Sequence, residues 1–253
     1  LTPFVALALL IAGVVFYRSV AVAPVRAARE QAEEARRIAT PILERLALPV
    51  QAVPGFGPPT AGAPTAGPRL ASTDRNTLQS LANKLSLAAT AAPREPSVYA
   101  IAAPIQLALG DERAARLAWE AVLARAPKDE QDPARIGIAS LAIRAGLRAE
   151  EEQDQRFALE AALHELGFVG EESPWWSNRL FEEVVARTAL GQRERASSTL
   201  VELTAMASPV AKVASSLLPP LLGSESDGEA RPRDAGPASG ARPARDPDAH
   251  DQE

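Results

Sequence analysis

One amphipathic segment, residues 110–127, constrains the fold of this 253-residue chain more than any other. Gly110 ends one helical run, and Asp111 can cap the next helix, because its carboxylate accepts hydrogen bonds from free backbone N–H groups. Pro127 stops that second run. Its apolar face combines small and large side chains at positions i, i+4 and i+7: Ala115, Trp119 and Val122. This alternation predicts a helix that a second helix approaches closely.

The pattern recurs twice, which indicates a repeated helical hairpin. Gly191 opens a second copy with apolar residues at the same offsets: Ala196, Leu200 and Leu203. Gly146 opens a third, weaker copy, in which Glu151 replaces the small residue. The glycines are 36 and 45 residues apart. Glycine, alanine, a large apolar residue and a closing proline in this order resemble the second helix of a tetratricopeptide (TPR) repeat, whose period is about 34 residues.

The resemblance implies an all-α fold in which antiparallel helix pairs stack into a short TPR-like solenoid. Partners of that family bind a concave face formed by the first helices of the pairs. Carried over by offset, the groove positions in this chain are Ile136, Ser140, Ile143, Asn178, Phe181, Val185 and Thr188. Their apolar content favours an apolar peptide or helix as the partner. An ordinary α-helical bundle, whose helix ends also carry glycines, stays open as the alternative.

Two adjacent tryptophans, Trp175 and Trp176, form a further candidate site for a partner. Neighbouring residues at the start of a helix cannot both face the core, so one packs inward. The other either covers the preceding loop or contacts a partner, since tryptophan is enriched at binding hot spots.

The N-terminal residues 1–23 predict a single membrane span. Phe4–Tyr17 is apolar throughout except for Gly13, and the segment is just long enough for a tilted span. A signal peptide cleaved near Ala23 is the alternative, although Pro24 disfavours cleavage there. Resemblance to envelope repeat proteins favours a periplasmic domain, whereas several arginines after the span favour the cytoplasm: Arg18, Arg26, Arg29, Arg36 and Arg37. We favour the periplasmic side, and the cytoplasmic side stays open as the alternative.

Composition divides the rest of the chain. Residues 24–48 form a charged, alanine-rich helical stalk, and residues 49–69 a Pro/Gly-rich linker. Residues 70–222 are the TPR-like helical domain, and residues 223–253 a disordered acidic tail. The tail holds eight acidic residues against four arginines, which leaves the remainder of a chain of net charge −5 nearly neutral. We therefore expect no nucleic-acid binding.

The sequence offers little for catalysis. It contains no cysteine, no phosphate-binding glycine motif and two separated histidines, His164 and His250. We expect no enzyme activity, no cofactor and no metal. The predicted function is a membrane-tethered interaction scaffold that binds another protein in a bacterial envelope complex. The alternative is an exported, soluble helical accessory subunit or an enzyme of envelope assembly.

Overall fold

The regular structure of this protein is helical wherever it is described. The computed structural model describes residues 18, 22–47 and 70–217. The helices within those residues are α1 Ala23–Ala47, α2 Ser72–Ala91, α3 Pro96–Leu109, α4 Glu112–Arg125, α5 Asp132–Arg148, α6 Glu152–Leu166, α7 Trp176–Ala189, α8 Arg193–Ala205 and α9 Pro209–Leu217, with a 3₁₀ turn at Lys128–Glu130. The prediction of an all-α fold made of packed helix pairs is confirmed.

The helices pack in a regular order. Consecutive helices form four hairpins, which are α1/α2, α3/α4, α5/α6 and α7/α8, and α9 closes the series against α7 and α8. The second helix of each hairpin also packs against the first helix of the next hairpin. First helices contact one another between α1 and α3 and between α5 and α7. Each hairpin therefore buries its apolar face against its neighbours rather than around one central helix.

Two of the three predicted glycine turns are present. Gly110 and Gly191 have φ values of +89° and +71°, a left-handed conformation that side chains with a Cβ atom avoid. After the first turn, the Asp111 carboxylate accepts a hydrogen bond of 2.9 Å from the Ala114 N–H, as predicted. Gly146 lies instead inside α5, where an added Cβ would come within 2.9 Å of Leu159 Cγ. This glycine serves close helix packing, so the third copy has no glycine turn.

The predicted apolar face of α4 is buried. Ala115 and Val122 are inaccessible, and Trp119 is only 7 % exposed. The Trp119 indole lies directly on Gly137 of α5, where an added Cβ would be 2.3 Å from the ring atom Cε2. The contact requires a residue without a side chain at this point of α5, and it joins the second hairpin to the third.

Helix α1 differs from the predicted stalk of residues 24–48. It packs against α2 and α3 through a stripe of small side chains, closed by one larger residue: Ala28, Ala32, Ala35, Ala39 and Ile42. The stalk assignment was wrong because alanine gives a weak apolar signal, yet it lets two helices approach closely. Residues 23–47 therefore belong to the folded domain.

The predicted membrane span at residues 1–23 overlaps the described residues only near its C-terminal end. None of their helices is both long enough and apolar enough to cross a bilayer. Apart from residues 18, 22 and 23, the span at 1–23 lies outside the described part of the chain, as do the linker at 49–69 and the tail at 223–253.

We predict that Gly137→Ala lowers the free energy of unfolding by about 1–3 kcal/mol, because the new methyl group overlaps the buried Trp119 ring. Urea denaturation measures the loss. Gly170→Ala is the matched control, since nothing lies within 4 Å of a Cβ atom there. A stabilised Gly137→Ala variant, reflecting the better helix propensity of alanine, would show that the ring moves aside freely.

We also predict that Ala32→Glu destabilises the domain by about 3 kcal/mol, because it places an unpaired charge in the buried stripe of α1. The control is Gln31→Glu, which adds the same charge one residue away on the exposed face. Thermal unfolding followed by circular dichroism compares them. Equal melting temperatures for the two variants would show that α1 is a solvated stalk that does not pack on the domain.

Candidate functional site

The groove positions predicted from the TPR resemblance do not form an open surface. Ile143, Phe181 and Val185 are buried in the core between the third and fourth hairpins. Ile136 is half-buried and packs against the same core. Side chains in these places cannot contact a partner while the domain stays folded. Positions counted back from Gly146 have no turn to define them, because Gly146 lies inside α5. Phe181 and Val185 are counted back from a true turn at Gly191, but the packing of neighbouring helices buries them in the core.

The three polar groove positions, Ser140, Asn178 and Thr188, are half-buried. The Thr188 hydroxyl donates a hydrogen bond of 2.7 Å to the Val184 carbonyl of its own helix, an internal role. Ser140 has a different role, because it faces a carboxylate on the neighbouring first helix.

That carboxylate belongs to Glu182, a residue which the sequence analysis did not single out. Burial raises its pKa to about 7, against the hydrogen bond from Ser140 and the attraction of Arg144, both of which favour the charged form. The residue keeps some exposed surface, so its carboxyl group is the part that has lost water. Arg144 also lies 3.9 Å from Glu112, which links α4, α5 and α7 through charged side chains. Glu182 is thus an acid with a pKa of about 7, and its partners are the Ser140 hydroxyl and the Arg144 guanidinium.

The two adjacent tryptophans point to different environments. Trp176 is half-buried, packs against the core and is covered by the Arg179 guanidinium, 4.3 Å from the ring centre. Arg179 in turn pairs with the buried Glu183 at 2.8 Å, and Arg187 donates a hydrogen bond of 2.7 Å to the same carboxylate. Trp175 remains 42 % exposed. Of the two, only Trp175 presents a large accessible surface.

Trp175 lines an open depression, which we call the edge groove. It runs along the side of the domain where α3, α5 and α7 begin, and it holds a volume of about 670 Å³. The helix α1, three helix starts and the end of α4 contribute its lining: Arg29, Glu33, Arg36, Glu95, Pro96, Ser97, Ala100, Val122, Ala126, Pro127, Asp129, Glu130, Pro133, Pro174 and Trp175. Residues almost 150 positions apart in sequence therefore meet in one surface.

An ion pair organises the wall of the edge groove that α1 contributes. Arg29 contacts the Glu95 carboxylate at 3.0 Å and so ties α1 to the start of α3. The other Glu95 oxygen accepts hydrogen bonds from the Ser97 hydroxyl at 2.7 Å and from its backbone N–H. Burial pushes the pKa of Glu95 upward, but the hydrogen bonds from Ser97 and Arg29 outweigh it and hold that pKa below its usual value. Glu95 is therefore ionised and structural.

The lining of the edge groove also includes exposed acids. Asp129 and Glu130 lie in the 3₁₀ turn between α4 and α5, and both are exposed. Among the described residues, no basic group lies within 4 Å of either carboxylate. Glu130 acts only at longer range, where it contributes to raising the pKa of Arg29. These two charges are available to a bound molecule.

The described residues contain no group of three or more His, Asp or Glu side chains arranged to hold a metal ion. His164 stands edge-on to Phe168, with ring centres 5.0 Å apart, and is exposed. Comparisons of the chain with protein-family models, with curated proteins and with solved structures gave no match. Function is therefore inferred from the residues of the edge groove and from the order of helix packing.

Glu182 generates a pH prediction. A carboxyl whose pKa is near 7 when folded and near 4.5 when unfolded stabilises the fold most at low pH, and that stability is lost as the pH rises from about 4.5 to about 7. The Glu182→Gln side chain stays neutral at every pH. We therefore expect its free energy of unfolding to rise relative to that of the natural protein across this window, by at most about 3 kcal/mol. Urea denaturation at pH 5, 6, 7 and 8 measures the difference.

The exposed Glu202→Gln on α8 is the control for that series. A Glu182→Gln variant whose stability follows the natural protein in parallel at all four pH values would show that the carboxyl is solvated.

Proposed function

We propose that this chain is a membrane-tethered, TPR-like scaffold which binds another protein through the edge groove, as part of a bacterial envelope complex. The observation that carries the proposal is Trp175, a large aromatic side chain that is 42 % exposed and lines a groove of about 670 Å³. Exposed tryptophans in concave surfaces are frequent hot spots of protein interfaces.

The order of helix packing supports the repeat part of the proposal. Stacked hairpins in which each second helix packs on the next first helix are what a solenoid of helical repeats requires. The turn at Gly110 and the buried face with Ala115 and Trp119 match the pattern that carries the TPR resemblance. Helix α9 covers the last hairpin, as terminal elements do in such arrays.

The tether would place the groove near the bilayer. The apolar run Phe4–Tyr17 precedes α1, and α1 itself supplies Arg29, Glu33 and Arg36 to the groove wall. At 1.5 Å per helical residue, Arg29 lies only about 9 Å along the helix from Ala23. A span at residues 1–23 would therefore hold the edge groove close to the membrane surface, on the periplasmic side in our preferred topology.

The edge groove favours a partner of different chemistry from the apolar peptide or helix that the sequence predicts. The expectation of an apolar peptide or helix depended on Ile143, Phe181 and Val185, which lie in the core. The edge groove offers charged, proline and tryptophan side chains instead. The second candidate function is an exported accessory subunit or enzyme of envelope assembly. One observation favours it: burial raises the pKa of Glu182, beside Ser140 and Arg144, to about 7.

A photo-crosslinking amino acid tests the scaffold. Placed at position 175 in the full chain and irradiated in cells, it should give a discrete crosslinked product in the membrane fraction. Phe157, which is 76 % exposed on α6, is the matched control position and should give none. Equal products from both positions, or none from position 175, would count against the edge groove. A product found only in the soluble fraction would favour the exported alternative.

A further inference from the structure

We propose that the edge groove binds an extended, basic segment of its partner, with an arginine or lysine side chain held between Trp175 and the carboxylates of Asp129 and Glu130. This inference rests on the proposed function and adds the chemistry of the partner. Three independent features of the groove support it: its charge, the state of its aromatic ring and the composition of its walls.

The charge of the groove is unbalanced toward the acidic side. Arg29 is neutralised by Glu95 at 3.0 Å, and Arg36 lies 3.8 Å from Glu33. Asp129 and Glu130 remain, with no basic group of the described residues within 4 Å. Complementary charge steers a partner toward such a surface and selects its orientation.

The turn before Trp175 extends the acidic character. Glu171 and Glu172 are exposed there, and no basic side chain of the described region pairs with them. An approaching cation therefore meets carboxylates in the turn beside Trp175 as well as across the groove, whereas an acidic segment would be repelled.

Trp175 also differs from three other exposed or half-buried aromatic rings of the domain. Arginines of the chain itself lie over three such rings: Arg179 over Trp176 at 4.3 Å, Arg135 over Phe168 at 4.4 Å and Arg125 over Tyr99 at 5.0 Å. No arginine in the described part of the chain lies over Trp175. A cation over the face of a tryptophan is favoured more than over other rings, so an incoming arginine or lysine would complete the arrangement that the neighbouring rings already have.

The walls suit an extended backbone. Pro96, Pro127, Pro133 and Pro174 line the groove and provide no backbone N–H groups. The lining also comes from helices and the turns between them, so the described residues offer no sheet edge to which a partner could add as a β-strand. Recognition by side-chain stacking and charge is the mode in which grooves lined with aromatic residues bind extended, proline-containing segments.

Fluorescence anisotropy with the full-length protein tests the proposal. The probe is a labelled twelve-residue peptide of alternating arginine and proline, and the comparison peptides replace arginine by alanine or by glutamate. We expect only the arginine peptide to bind. Trp175→Ala should lower the affinity for this peptide about tenfold, which is within the range of a cation–π contact. Phe157→Ala, the exposed aromatic control, leaves binding unchanged.

The carboxylates have their own matched pair of variants. The double variant Asp129→Asn with Glu130→Gln should lower the affinity for the arginine peptide about fivefold at 50 mM salt. This difference should shrink at 500 mM salt because ions screen exposed charges. Glu150→Gln with Glu151→Gln, which removes two exposed acids outside the groove, should have no effect. Binding that is equal for the alanine peptide, stronger for the glutamate peptide, absent for all three or insensitive to the groove variants overturns the proposal.

Crosslinking at position 175 separates this inference from the proposed function. A crosslinked partner whose captured segment is acidic or purely apolar would overturn the basic-segment proposal and leave the scaffold intact. Absence of any product from position 175 would count against both.

Discussion

Close approach between helices is the constraint on which this structure depends. The clearest instance is the Trp119 ring lying on Gly137, where the absence of a Cβ atom lets α4 and α5 meet. Alanine serves the same purpose along α1, at Ala32 and its buried neighbours. Dispersion and the removal of apolar surface from water both increase as helices approach, so small residues at the contacts stabilise a protein with few aromatic side chains.

This mode of packing also shapes the surface. Each second helix packs on its own first helix and on the first helix of the next hairpin, so first-helix residues such as Phe181 and Val185 are buried in the core. One open depression lies at the edge where α3, α5 and α7 begin, and there the connecting segments bring together prolines, acids and Trp175. Packing therefore covers the apolar faces of the hairpins and leaves the edge accessible.

Charges then distinguish structural from available groups. Glu95 is held ionised by Ser97 and Arg29 and ties α1 to α3, so its role is complete within the domain. Asp129 and Glu130 have no comparable partner among the described residues. Acidic side chains thus contribute to stability in one place and stay exposed to solvent in another, and the difference is whether a cation of the chain lies within ion-pair distance.

The sequence by itself determined the helical class, the turns at Gly110 and Gly191 and the buried face with Trp119, because local periodicity and backbone preference set these features. It also marked Trp175 and its neighbour as unable to share one environment. Only the tertiary structure decided that Arg29 meets Glu95 across 66 residues and that Glu182 loses water between α5 and α7. Contacts and desolvation depend on which surfaces meet, and no local pattern in a single sequence encodes that.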